Sequence, residues 1–216
     1  RGNAVRIPSV TGLVVPEPAF THEQYQREIL GRIYADLAPH DPDGVLRHEW
    51  ANARGAIARF DRGAIEIRVI DAQECPAADL AVVAAVTSVV EALTRGALSD
   101  RDRGLDPGTE ELAAVLEATT ARAEKAVVAS DALLGVLGLA PGPRFAGDVW
   151  RALLDRHPPS DPDAEWTDAL WQILERGSLA TRLVAAVGPR VERARLHEVW
   201  DRMCDCLARN ETFGGV

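Results

Sequence analysis

An α+β fold is predicted, with an antiparallel sheet in the first half of the chain and a helical bundle in the second. Three observations predict it. Between residues 55 and 73 apolar and polar side chains alternate with the period of a strand, the flanking stretches space their apolar residues as helices do, and beyond residue 107 the helical spacing continues almost to the end. The 216 residues, 47% hydrophobic and 26% charged, suffice to bury a core in one domain or two closely packed subdomains. The expected division is a sheet-containing part over residues 1–98 and a helical region over 99–216 packed on it.

Taken in order, the chain opens on an irregular stretch punctuated by Pro8 and Gly12. Thr21 then reads as an N-cap with Gln24 as its capping-box partner, starting a helix of about seventeen residues that ends near Pro39. Two strands follow, Gly55–Asp61 and Ala64–Gln73, joined through Arg62-Gly63. A two-residue loop sets Phe60 opposite Ile65, Ala58 opposite Ile67 and Ala56 opposite Val69, so that both apolar sets fall on one side, the side expected to be buried. Arg-Gly is not a preferred dipeptide for such a turn, but any even-length loop preserves this parity. Arg59, expected opposite Glu66, then joins Glu66 and Arg68 on the other face.

Pro76 opens a helix running to Gly96, with Leu80, Val83, Ala84, Val86, Val90 and Leu93 on its expected buried side. Ser99–Gly104 is polar and turn-rich and reads as a linker. A long helical pattern from Pro107 to Leu137 is broken by Gly138 and Pro141-Gly142-Pro143, and shorter helices are expected near Phe145–Arg156, Asp163–Glu175, Ser178–Val187 and Pro189–Ala208. Trp150, Trp166, Trp171 and Trp200 fall in this all-helical region as expected core or helix-packing residues.

A carboxylate and guanidiniums at fixed spacing on one face suit a metal-bound phosphate, carboxylate to cation and guanidinium to phosphoryl oxygen. The same three side chains also make an ordinary cross-strand salt bridge on a solvated sheet face. Periodicity leaves both readings open.

The sequence around the strands adds to the first. The run from His48-Glu49-Trp50 through Asn52-Ala53-Arg54-Gly55-Ala56-Ile57-Ala58-Arg59-Phe60 to Ile65-Glu66-Ile67-Arg68-Val69-Ile70-Asp71-Ala72-Gln73-Glu74-Cys75-Pro76 resembles the second family of glutamate-cysteine ligases, which includes carboxylate-amine ligases of looser specificity. Arg6-Ile7-Pro8-Ser9-Val10-Thr11-Gly12 and Val14-Val15-Pro16-Glu17-Pro18 resemble it too, so the likeness spans roughly the first hundred residues in order. The resemblance implies a glutamine-synthetase-like funnel of antiparallel strands, with ATP at one end and amino acids at the other. It implies that Glu66 binds a catalytic Mg²⁺, that Arg68 contacts the transferred phosphoryl group with Arg59 beside it, and that ATP phosphorylates the side-chain carboxylate of glutamate before the amine of cysteine displaces phosphate. Asn52 and Arg54 are assigned to nucleotide or substrate contact, His48 and Thr11 to substrate contact, and Arg6 to an amino-acid carboxylate.

The chain starts at Arg1 and lacks the Gly-x-Glu-x-Glu strand that the family carries in its amino-terminal half, so the expectation is a carboxy-terminal portion of a longer ligase, inert without that half as its partner. Two other readings stand beside it: a ligase of the same chemistry using a different amine, and a non-catalytic helical interaction module whose sheet is a remnant.

Composition narrows the remaining classes. A net charge of −9 argues against broad nucleic-acid binding, while the five arginines against three acids between Arg47 and Arg68 suit a compact triphosphate. Asp79, Glu91 and Arg95 interrupt the apolar run after residue 76, which reads as a buried helix rather than a membrane span. Three cysteines are too few for a disulfide scaffold and fit a reducing cytoplasm, the expected location. Cys204 and Cys206 point apart on a helix, His22, His40, His48, His157 and His197 show no zinc spacing, and Cys75 is expected to be buried and inert. There is no phosphate-binding loop or nucleophile elbow. A homo-oligomer is compatible with the sequence but not fixed by it.

Overall fold

Two compact units divide the chain in a computed structural model that describes residues 3–98, 106–161 and 164–215. The first comprises Arg1–Asp71 with Gly108–Leu116, the second Ala72–Pro107 with Glu117–Val216. The fold is mixed α+β, and the expected linker Ser99–Gly104 lies outside the described residues.

In the first unit, α1 (Asn3–Arg6) and α2 (Pro8–Thr11) precede α3 (His22–Tyr25), which passes through a π turn at Gln26–Leu30 into α4 (Gly31–Leu37). The expected cap is present: Thr21 Oγ1 accepts from Gln24 N at 3.0 Å. Gln24 Oε1 reaches back one residue further than in a standard capping box, accepting from Phe20 N at 3.0 Å. Val10 of α2 joins Ile29, Ile33 and Leu37 in a core against which Tyr25, Leu46 and Ala51 pack. Asp41 is buried and acts as a staple, its carboxylate accepting from Val45 N at 2.9 Å and Leu46 N at 2.8 Å.

The hairpin pairs β1 (Ala56–Arg59) with β2 (Ala64–Ile67), antiparallel. Its register lies two residues from the expected one. Ala58 is opposite Ile65 and Ala56 opposite Ile67, and Arg59 faces Ala64 rather than Glu66. A two-residue turn would force Arg62 to positive φ; instead four residues, Phe60–Gly63, make the turn, with Arg62 N donating to Arg59 O at 3.1 Å and Gly63 alone taking φ 58°. The shift is even, so the faces stay as sorted.

Which face is buried is the reverse of the expectation. Ile57, opposite Glu66 and on the polar face, is 1% exposed, whereas Ile65 is 73% and Val69 52% exposed on the apolar face. Ion pairing makes this possible: Arg59 and Arg68 share Glu66, Glu49 and Asp61 lie beside Arg59, and Arg68 bonds to the Glu49–Arg54 segment.

In the second unit, α5 (Pro76–Thr94) packs on α8 (Ala146–Arg156) and α9 (Thr167–Arg176). Its buried side is Ala77, Ala78, Ala81, Ala85, Val89 and Ala92, not the expected one; Leu80, Val83 and Val90 are exposed. The helix is apolar all round, so periodicity cannot select a face, and the alanine side allows the closest approach of its neighbours. Among the described residues α5 is the one helix long and apolar enough to cross a membrane, and a third of that span is buried within the protein.

The long helix expected over Pro107–Leu137 is α6 (Thr109–Arg122) and α7 (Asp131–Val136), separated at Ala123, where φ is 49°. Between them β3 (Val127–Val128) pairs antiparallel with β4 (Arg144–Phe145), so the second half is not wholly helical. α10 (Leu179–Val187) and α11 (Arg193–Arg209) close around Val199, Cys206 and Phe213. Trp150, Trp171 and Trp200, expected inside, keep 38%, 39% and 55% of their surface exposed; Trp166 is half-buried.

Arg182 and Glu74 are buried together in this unit. Arg182 Nη1 donates to Glu74 Oε1 and, at 2.6 Å, to Phe213 O, its Nε donates to Gly177 O at 3.1 Å, and Phe213 N donates to Glu74 Oε1 at 2.9 Å.

Candidate active site

All eight residues singled out from the sequence fall in the first unit, and three converge on the inner face of the hairpin. Glu66 stands between two guanidiniums: Arg68 Nε donates to Oε1 at 2.8 Å and Arg59 Nη1 to Oε2 at 2.7 Å. Although Arg59 is displaced by two positions from the expected register, its side chain spans the offset. The Arg68 hydrogen bond, then that of Arg59, holds the Glu66 carboxyl below its ordinary pKa, and Glu66 followed by Asp61 raises that of Arg59. Glu49 lies 3.5 Å and Asp61 3.3 Å from Arg59 Nε, and the Arg59 hydrogen bond lowers Asp61.

Arg68 is fixed on its other edge as well. Its Nη1 donates to Asn52 O at 2.7 Å and Trp50 O at 3.3 Å. The segment carrying those carbonyls is held in turn by Ala53 N donating to Val10 O at 2.8 Å.

Asn52 and Arg54 lie behind this patch, 0% and 4% exposed. Asn52 Nδ2 donates to Tyr25 Oη at 2.9 Å, and its Oδ1 accepts from Arg54 N at 3.2 Å and Arg54 Nη1 at 3.1 Å. Arg54 grips Glu17 at two points, through Nε and, at 2.7 Å, through Nη2. Gly12, at φ 54°, lies so close over that guanidinium that an added Cβ would meet Nη2 at 3.0 Å. Both side chains thus spend their hydrogen bonds on the protein itself, supporting the wall on which Arg68 rests.

The other three stand apart from the hairpin patch. His48 is exposed, its ring stacked on Trp50 at 6.1 Å; Thr11 is half-buried at the end of α2; Arg6 is exposed at the end of α1. Glu17, Tyr25, Glu49 and Asp61 complete the network and were not singled out by sequence reasoning. Glu17 lies within one of the segments carrying the family resemblance, and Tyr25 only becomes relevant once its hydroxyl is seen to accept from both Asn52 Nδ2 and Ala58 N, the latter at 3.2 Å.

A metal does not find a ready cage here. Both oxygens of Glu66 are occupied by guanidiniums, and among the described residues no group of three or more His, Cys, Asp or Glu side chains is placed to hold a metal ion. Two cationic arginines braced by one carboxylate are instead an arrangement for polyanionic oxygen. Cys75 and Cys206 are buried free thiols whose pKa burial raises, as inert cysteines require, and Cys204 is free and exposed.

Comparison with known proteins agrees with the motif. An Archaeoglobus fulgidus protein described as "Uncharacterized protein" is 25% identical over 218 residues, covering 99% of this chain and 50% of the relative, so the chain spans about half the length of the relative it matches. No solved structure matches. The family model of glutamate-cysteine ligase family 2 matches residues 15–202, most of the sequence and every element of the hairpin network from Glu17 to Arg68, and the chain belongs to that family.

Proposed function

We propose that this chain is the carboxy-terminal part of an ATP-dependent carboxylate-amine ligase that joins the side-chain carboxylate of glutamate to the amine of cysteine through an acyl phosphate. The observation that carries this reading is Arg68, pinned between Glu66 and the carbonyl oxygens of Trp50 and Asn52. A guanidinium whose position is set before substrate arrives stabilises charge developing on a transferring phosphoryl group without reorganisation. Arg59, held by Glu66 and Asp61, adds a second positive charge on the same face. ATP enters as its Mg²⁺ complex, so the cation comes with the substrate.

In the first step the glutamate carboxylate attacks the γ-phosphorus and ADP leaves. In the second the neutral amine attacks the acyl carbon, loses a proton, and phosphate departs. Arg68 and Arg59 serve the first step by binding phosphoryl oxygens. The family's amino-terminal half is proposed to bring the metal-binding carboxylates and to cover the exposed apolar face of Ile65, Ile67 and Val69, continuing the two strands into a funnel.

Release of ADP by the longer ligase with Mg²⁺-ATP and glutamate, with cysteine present or replaced by a panel of amines, tests the reading. Amine-dependent ADP release is expected; its absence with every pair would leave the chain as a non-catalytic module.

A further inference from the structure

Tyr25, the last residue of α3, meets both backbone segments that carry the candidate site. Its ring packs against the core of Val10, Ile29, Ile33 and Leu37, which fixes where the hydroxyl stands. Tyr25 Oη accepts from Ala58 N at 3.2 Å and from Asn52 Nδ2 at 2.9 Å. The first of these bonds closes a strand edge. Arg68 N donates to Gly55 O at 2.7 Å across the hairpin, so alternation along β1 turns the Ala58 N–H away from β2, to the side where Tyr25 takes it.

Each bond falls beside an arginine assigned to the phosphoryl group. Arg59 follows Ala58 directly, and on its other side Phe60 stands edge-to-face with the Tyr25 ring, 5.4 Å between centroids. Both chain neighbours of Arg59 are therefore held by Tyr25. Asn52, held through its side chain, offers its own carbonyl to Arg68 Nη1 at 2.7 Å. Glu66 bonds to Arg59 at 2.7 Å and to Arg68 at 2.8 Å, so a shift of either backbone segment is passed to the pair.

We infer that Tyr25 is a positioning residue: its hydroxyl sets the separation between the strand carrying Arg59 and the wall on which Arg68 rests, and thereby where both guanidiniums stand. It touches no phosphoryl group itself. Its part in turnover rests on the ligase reading; its part in placing the arginines rests on the hydrogen bonds alone. A misplacement of about 1 Å far from the chemistry can cost about a hundredfold in rate, so loss of one hydroxyl with the ring retained is expected to cost about tenfold.

Tyr25→Phe tests this, because it keeps the ring, its core contacts and its contact with Phe60. Ile33→Val, which removes a methylene from the same core, is the control for a general loss of stability. In the longer ligase, Tyr25→Phe is expected to lower kcat about tenfold with the KM for Mg²⁺-ATP and for glutamate within about twofold, and Ile33→Val to change neither. In the 216-residue chain, the Arg68 Nε–H followed by nitrogen-15 NMR is expected to exchange with water about tenfold faster in Tyr25→Phe than in wild type or Ile33→Val. An unchanged kcat in Tyr25→Phe, a wild-type exchange rate at Arg68, or equal effects of the two variants overturns the inference. A wild-type ligase that releases no ADP removes the ligase reading instead, and the exchange rate then decides by itself whether Tyr25 places the arginines.

Discussion

Arg68, the residue just past the end of β2, and Glu66 within that strand share a hydrogen bond of 2.8 Å between Nε and Oε1, leaving the opposite edge of the guanidinium to bond to backbone carbonyls. An arginine held on both edges is a fixed charge, and its removal should be felt where charge moves. In the longer ligase proposed above, Arg68→Ala is expected to lower kcat by about a hundredfold or more while changing the KM for either proposed amino-acid substrate only slightly. Arg68→Lys should recover little, because an ammonium cannot hold the carboxylate and two carbonyls in one plane. Steady-state kinetics with each substrate varied in turn checks this, and an unchanged kcat would remove Arg68 from the chemistry.

Asn52 supplies a different kind of prediction. It is fully buried and joins Tyr25 to Arg54, so Asn52→Ala removes one of the two donors to the Tyr25 hydroxyl and takes the Oδ1 acceptor from the backbone N–H and Nη1 of the buried Arg54. Urea denaturation is expected to show a loss of about 1–3 kcal/mol. The variant separates support from contact: a role confined to binding substrate would leave the denaturation midpoint where it is.

Much of this was legible in the sequence because a strand's period of two sorts side chains whatever the register. Glu66, Arg68 and Arg59 could be placed on one face from alternation alone, and the Thr21 cap from its own residues and Gln24. The choice of buried face was not legible. Apolar residues ordinarily mark the inside, and only the observed pairing of Arg59 with Glu66 and Glu66 with Arg68 shows why a charged face packs inward here. Likewise α5 offers apolar residues on every side, and the neighbours that choose its alanine face, α8 and α9, lie far along the chain. Glu17 could not be tied to Arg54 from sequence, since nothing local spans thirty-seven positions.

That Glu17–Arg54 pair carries a pH signature. The Arg54 hydrogen bond holds the Glu17 carboxyl below its ordinary pKa, against the opposing effect of partial burial. A depressed folded-state pKa means that the stabilisation is fully present above the unfolded value, about 4.3, and is lost as pH falls through the depressed value. Stability of the wild-type chain should therefore fall on acidification below about pH 5. Glu17→Gln should be less stable at pH 7 and show a shallower acid decline, read by denaturation midpoints between neutrality and acid. Parallel curves for the two proteins would mean the pair contributes nothing to the pH dependence.

Glu74 raises the question of what the end of the Gln73-Glu74-Cys75-Pro76 motif is for. Its carboxylate lies within the second unit, 0% exposed, between the Arg182 guanidinium and the backbone N–H of Phe213, while Arg202 stacks over the Phe213 ring at 4.8 Å. The motif glutamate is thus a clamp between the start of α5, the start of α10 and the last residues of the chain. Removing one partner leaves a buried charge with no counterpart, so Glu74→Ala or Arg182→Ala is expected to cost about 3–5 kcal/mol. Replacing both by apolar residues of similar size, Glu74→Leu with Arg182→Met, should restore much of that loss, because no charge then has to be desolvated. Deleting the residues after Asn210 should reproduce part of the single-variant effect, since Phe213 supplies both a donor and an acceptor to the pair. Denaturation of the four variants decides it: equal losses in the single and double variants would mean that the pair itself, rather than the avoidance of an unpaired charge, stabilises this corner of the fold.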